Sequence, residues 1–98
     1  MWQVFLQIAL QTTLTRCDAV LYAPLDDGQG VIMNIAEGRF FSVNAVGRRV
    51  WELLTAPKTL AEICAAIGGE FAVDAATCQA AVTKFVSDNI NRGIVRAS

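Results

Sequence analysis

The stretch Gly30-Val31-Ile32-Met33-Asn34-Ile35-Ala36-Glu37-Gly38-Arg39-Phe40-Phe41-Ser42-Val43-Asn44 decides the fold. Successive side chains of an extended chain point to opposite sides, so Val31, Met33 and Ile35 share one face and Ile32 and Asn34 the other. Ala36-Glu37-Gly38 is long enough only for a turn, and Gly38 supplies the positive φ such a turn needs. Residues 39–43 are extended again, with Phe41 and Val43 on one side and Phe40 and Ser42 on the other. Each side carries an aromatic, so both are expected to be partly covered. Two strands joined this closely pair antiparallel. At Asn44 the period changes from two to 3.6. Asn44 reads as an N-cap, followed by Val46, Val50, Leu53 and Leu54 at helical spacing.

Towards the N-terminus, residues 19–25 form a second strand candidate, with Pro24 at an edge or exit because it cannot donate to a ladder. Asp26-Asp27-Gly28-Gln29-Gly30 is the turn between this strand and the next. Residues 11–18 are polar and read as a loop. Residues 2–10 alternate, with Trp2, Val4, Leu6, Ile8 and Leu10 on one parity. That pattern predicts a strand and is also compatible with a helix; residues 1–13 are an N-terminal extension or an extra strand.

Towards the C-terminus, the first helix stops before Pro57. Thr59-Leu60-Ala61-Glu62 is a capping box, in which Thr59 and Glu62 satisfy each other's backbone amides. Leu60, Ile63, Cys64 and Ile67 make the buried stripe of the second helix, and Gly68-Gly69 is expected to end it. Asp74 caps a third helix whose apolar face is Cys78, Ala81, Val82, Phe85, Val86 and Ile90. Gly93 closes it, with Ile94 as the hydrophobic follower. The order is strands first, then three helices. This predicts one α+β domain over residues 1–98, winged-helix-like, with the helices on one face of a small antiparallel sheet.

Composition narrows the function. Of the 98 residues, 54% are hydrophobic and 17% charged, too apolar for a disordered tail. No apolar run approaches the ~20 residues that span a bilayer. The start of the chain lacks the basic residues of a signal peptide, and free thiols suit a reducing cytoplasm. Eight basic groups against nine acidic ones argue against a nucleic-acid surface. There is no His, which removes the commonest proton shuttle and metal ligand. Cys17, Cys64 and Cys78 have no C-x-x-C spacing, and Cys64 and Cys78 fall on apolar helix faces as small core residues. The acidic side chains sit in turns or at caps, and no spacing pairs two of them in one pocket. No cofactor, metal site or catalytic residue is therefore expected. Gly47 inside a helix suggests close packing there. Arg48-Arg49 reads as a solvated helix face, or as a docking contact for an acidic partner.

Five segments in order resemble one family, the PqqD-like proteins. They are the strand–turn–strand with Gly38-Arg39, Phe40-Phe41 and Val43-Asn44; Gly47-Arg48-Arg49-Val50-Trp51-Glu52-Leu53-Leu54; Thr59-Leu60-Ala61-Glu62-Ile63; Phe71-Ala72-Val73-Asp74; and Gly93-Ile94-Val95. The resemblance spans residues 14–95. It implies a RiPP recognition element, a non-catalytic domain that holds the leader segment of a ribosomally made precursor peptide and presents it to a modifying enzyme. The leader is expected to add as a strand beside residues 39–43, closed over by the third helix. The residues expected at this site are Arg39, Phe40, Phe41, Ser42, Val43, Gln79, Thr83, Val86 and Ile90. The expected partners are the precursor peptide and a leader peptidase or radical-SAM enzyme, with a lasso-peptide pathway favoured and no nucleic acid or membrane. The alternatives are a winged-helix DNA-binding regulator, disfavoured by a third helix in which Asp74 and Asp88 offset Lys84 and Arg92, and a structural subunit of a larger enzyme.

Overall fold

The structure, a computed structural model, describes residues 9–98. The strand expected over residues 2–10 lies almost wholly outside the described residues. Its last residues enter a turn, in which the Thr12 amide donates to the Ala9 carbonyl.

The elements are β1 (Thr13–Arg16), β2 (Val20–Pro24), β3 (Gly30–Asn34), β4 (Arg39–Val43), α1 (Ala45–Leu53), β5 (Lys58–Thr59), α2 (Leu60–Phe71), α3 (Ala75–Asn91) and β6 (Val95–Ala97). The α+β class, the β2–β3–β4 meander and the three helices follow the sequence reading.

The single sheet does not. There are two three-stranded sheets, ordered β5-β1-β6 and β2-β3-β4. Strand β1 falls within the expected loop 11–18. It sits in the centre of its sheet, pairing Thr13 with Thr59 on one side and Leu14, Thr15 and Arg16 with Ala97, Arg96 and Val95 on the other. Only Leu14 of this strand is buried, so local hydrophobicity gave almost no signal. The partners come from 40 or more positions away along the chain.

The caps are as the sequence predicts. The Asn44 side chain accepts from the Gly47 amide at 2.8 Å, and Asp74 accepts from Thr77 at 3.1 Å. Thr59 and Glu62 form the complete capping box. Gly93 has φ +75°, its N–H donates to the Ile90 carbonyl, and the Ile94 N–H reaches back to Asn89. Those two bonds are the Schellman closure of a helix. The expected stop at Gly68-Gly69 is wrong, because α2 continues to Phe71 and ends on Ala72 at φ +53°.

One apolar cluster joins both sheets and all three helices. Leu14, Ile32, Val50, Leu60, Ile63, Val82, Val86 and Ile94 are fully enclosed in it. Val50 and Leu54 supply the inner stripe of α1, while Leu53 is only half-buried.

Candidate peptide-binding edge

Strand β4 is an edge strand, and its free side can be assigned residue by residue. The Leu25 N–H donates to Gln29 O and the Ile35 N–H to Ala19 O. Antiparallel backbone groups alternate in direction, so Val31 and Met33 of β3 point theirs towards β2 and Gly30, Ile32 and Asn34 towards β4. Their register partners Val43, Phe41 and Arg39 therefore use their backbone groups inside the sheet. The N–H and C=O of Phe40 and Ser42 point outward, a row of unpaired donors and acceptors.

The side chains of β4 divide just as sharply. Phe41 is 9% exposed and Phe40 68%, so only one side is covered, contrary to the sequence expectation. On the outer side Phe40 lies in register with Met33 and Leu21, and Leu21 is also exposed.

Helix α3 runs past β4 in the opposite direction. At the Val43 end, a Cβ on Gly47 would lie 2.7 Å from Phe85 Cε1 and 3.2 Å from Val43 Cβ, so only glycine lets α1 and α3 approach this closely. At the Phe41 end, the Arg92 guanidinium stands 4.6 Å from the Phe41 ring centroid. Asn34, buried on the inner side of β3, donates to the Arg92 carbonyl at 2.9 Å and accepts from the Glu37 amide at 3.2 Å. That side chain ties the β3–β4 turn to the end of α3. A cleft of about 320 Å³ opens beside Phe85, lined also by Asn44, Val46, Gly47, Ala81, Lys84 and Asp88.

The structure brings Arg39, Phe40, Phe41, Ser42 and Val43 together as the β4 edge. It does not bring the four α3 residues of the sequence reading to the cleft. Val86 is fully buried in the core, and Ile90 packs against that core. Gln79 lines a separate depression between α2 and α3, with Cys64, Gly68, Val73 and Cys78. Thr83 stands on the same flank as Gln79 and Val86. Residues 79, 83, 86 and 90 share one helical spacing, and residues 81, 85, 88 and 92 share the same spacing two positions on. Two positions turn a helix by about 200°, so the cleft takes the opposite flank. Sequence spacing could not distinguish the two. Asn34, Arg92 and the cleft-lining role of Phe85 were missed. The available signal was Asn34, a polar residue on the same strand face as Ile32.

The Arg48-Arg49 pair stays partly exposed on its helix face, and both guanidinium groups are paired with carboxylates of this chain. Arg48 Nε donates to Glu52 Oε2 at 3.0 Å, and its Nη1 donates to the Leu25 carbonyl. Tyr22 donates to the same Glu52 oxygen, tying β2 to α1. Arg48, then Tyr22, hold the Glu52 carboxyl below the usual carboxylate range, while burial pushes the Tyr22 phenol up. Arg49 pairs with Glu70 at 2.7 Å. Burial also pushes the Cys64 thiol up, which disfavours the thiolate a nucleophile would need. Among the described residues no group of three or more His, Cys, Asp or Glu side chains could hold a metal ion. No described helix is long and apolar enough to cross a membrane.

The family model for coenzyme PQQ synthesis protein D (PqqD) matches residues 29–95, which span β3, β4, all three helices and the cleft. The chain belongs to the PqqD family. The structure of TbiB1 in complex with the TbiA(beta) leader peptide is similar to it, at 32% identity and TM-score 0.76. That match covers 84% of this chain and 94% of TbiB1. No curated protein matches the chain. The chain is thus a PqqD-like RiPP recognition element, as the motifs of residues 30–95 implied.

Proposed function

We propose that this PqqD-family chain binds the leader segment of a ribosomally made precursor peptide as a fourth strand on β4. The observation that carries the reading is the open row of Phe40 and Ser42 backbone groups beside the Phe85 cleft, in a chain similar to a protein solved with a leader peptide. Backbone bonds to Phe40 and Ser42 supply affinity, and alternate leader side chains enter the space between Phe41, Val43 and α3. The contacting set is Arg39 to Val43 together with Ala81, Phe85 and Asp88. Gln79, Thr83, Val86 and Ile90 stand on the other flank of α3.

The chain does no chemistry on the peptide. It acts in the cytoplasm as a single domain that presents the peptide to a separate modifying enzyme, a lasso-type leader peptidase and cyclase in preference to a radical-SAM enzyme. Nucleic acid is not a ligand.

The test is amide hydrogen exchange with and without a candidate leader peptide. Exchange should slow at Phe40 and Ser42 and stay unchanged at Arg39, Phe41 and Val43, whose amides already lie inside the sheet. Slowing confined to the Arg48-Arg49 face or to β1 would place the groove elsewhere.

A further inference from the structure

The Phe41 end of the groove has a charge arrangement that packing alone does not require. Two guanidinium groups converge on one ring, Arg92 at 4.6 Å and Arg39 at 5.1 Å from the Phe41 centroid. The two cations are therefore separated by no more than those two distances together, comparable to the ~10 Å Debye length at 0.1 M salt. Arg39 has only a long contact to Glu37, at 3.7 Å between two exposed side chains. Arg92 has no carboxylate partner among the described residues, and its one side-chain bond is a 3.4 Å contact to Asn89. The neighbouring cations differ: Lys84 is paired with Asp88 at 2.8 Å, Arg48 with Glu52 and Arg49 with Glu70.

A cation at the end of α3 offsets the helix dipole, and stacking on an aromatic face stabilises one guanidinium. Both effects account for Arg92 alone. Placing Arg39 on the same ring adds like-charge repulsion that a carboxylate between the two would remove.

We infer that the bound peptide carries an Asp or Glu side chain at this end, seated between Arg39 and Arg92. This rests on the strand-addition reading above and adds the charge and the register of the ligand. A strand added to β4 points every second side chain towards α3. The acidic residue therefore lies an even number of positions from the residue entering the cleft. Val43 marks the cleft end and Phe41 the arginine end, so that number is two, or four if the carboxylate reaches the Arg39 side.

The experiment uses an mRNA-displayed library of random twelve-residue peptides, selected in parallel on the wild-type chain, Arg92→Gln and Arg39→Gln. Arg39 is exposed at a strand end, so its variant keeps the test alive if Arg92→Gln unfolds. Wild-type selections should enrich Asp or Glu two or four positions from an apolar residue, and both variants should lose that enrichment while keeping the apolar position. For a winning peptide, changing the acid to its amide should weaken binding about three- to tenfold on wild type, and by much less on the variants. Peptides that protect the Phe40 and Ser42 amides but show no acidic preference would overturn the inference and leave the strand-addition reading standing. The same holds if the acid-to-amide change has equal effect on wild type and both variants. Winners that leave Phe40 and Ser42 unprotected would overturn both.

Discussion

Gly47→Ala sets two calculable effects against each other. Inside a helix, alanine is favoured over glycine by about 1 kcal/mol. Here the added methyl would stand 2.7 Å from Phe85 Cε1, 3.0 Å from Cδ1 and 3.2 Å from Val43 Cβ. The Val43 atom is fixed to its strand and must move with it. Phe85 is half-buried, so its ring can swing, but it swings into the cleft it now lines. Forcing a methyl into packed surroundings costs roughly 1–3 kcal/mol. Packing therefore wins, with net destabilisation of about 1 kcal/mol and a fall in melting temperature of roughly 4–8 °C for a chain this size. Urea and thermal melts on four proteins would measure it: wild type, Gly47→Ala, Phe85→Leu and the double variant. Leucine lacks the Cε1 atom nearest the new methyl, so the cost of Gly47→Ala should shrink by about 1 kcal/mol in that background, a coupling expected only of residues in contact. If Gly47→Ala stabilises the wild type, or if the two changes are additive, α1 and α3 are not in the contact described and the cleft's position is wrong.

Other outcomes follow from the same contacts. Ser42→Pro removes an outward-pointing donor from an edge strand, where proline is tolerated. It should leave the circular dichroism spectrum unchanged while weakening leader binding about tenfold by calorimetry. Ala81→Arg, at an exposed site in the cleft, should abolish binding, whereas Thr83→Arg on the opposite flank should leave it within about twofold; the reverse result would move the groove to the other side of α3. Asn34→Ala strands the Arg92 carbonyl and the Glu37 amide and should cost roughly 1–3 kcal/mol in a urea melt. The Glu52 carboxyl titrates below its unfolded value because of Arg48 and Tyr22, and Glu62, Glu70 and Asp74 are likewise held down, by Thr59, Arg49 and Thr77. Their stabilisation is present above about pH 4.5 and is lost as pH falls through the folded values. Without His, stability should be flat from about pH 5.5 to 7.5, and Glu52→Gln should shallow the acid limb.

What was legible in the sequence is what local chemistry encodes. Three caps, the Asp-Gly turn and the alternation of residues 30–43 each rest on neighbours within about four positions, and each appears where expected. β1, β5 and β6 escaped notice for the opposite reason. Each is four residues or shorter, and each exists only because distant segments pair with it. Gly68-Gly69 misled because glycine ends a helix only where a left-handed residue is needed. That residue is Ala72, three positions after Gly69, while a Cβ on Gly68 would only touch Cys78 and Val73 at ordinary contact distance. Within the proposed site, parity made the two sides of β4 readable, but with an aromatic on each it did not show that the Phe40 side stays open. The flank of α3 was not, because its core residues, Val82 and Val86, leave a half-buried flank on either side, and only the crossing with β4 selects one.

The crossing is held at both ends by contacts that involve no ligand. At one end the bare face of Gly47 sets how closely Phe85 approaches α1. At the other, Asn34 links the turn of β3 and β4 to the last carbonyls of α3, and a Cβ on Gly93 would come within 3.0 Å of Asn34 Nδ2. On the strand-addition proposal, a groove with both ends fixed before the peptide arrives incurs little ordering cost in the protein, so the loss of freedom falls mainly on the peptide. Specificity must then come from what fits between fixed walls. The Phe85 end offers apolar surface beside the Lys84–Asp88 pair. The Phe41 end offers two guanidinium groups on one ring. On the same proposal, a peptide with an acid and an apolar residue on the same side would satisfy both ends, whereas one shifted by a single residue would turn both side chains outward and keep only the backbone bonds to Phe40 and Ser42.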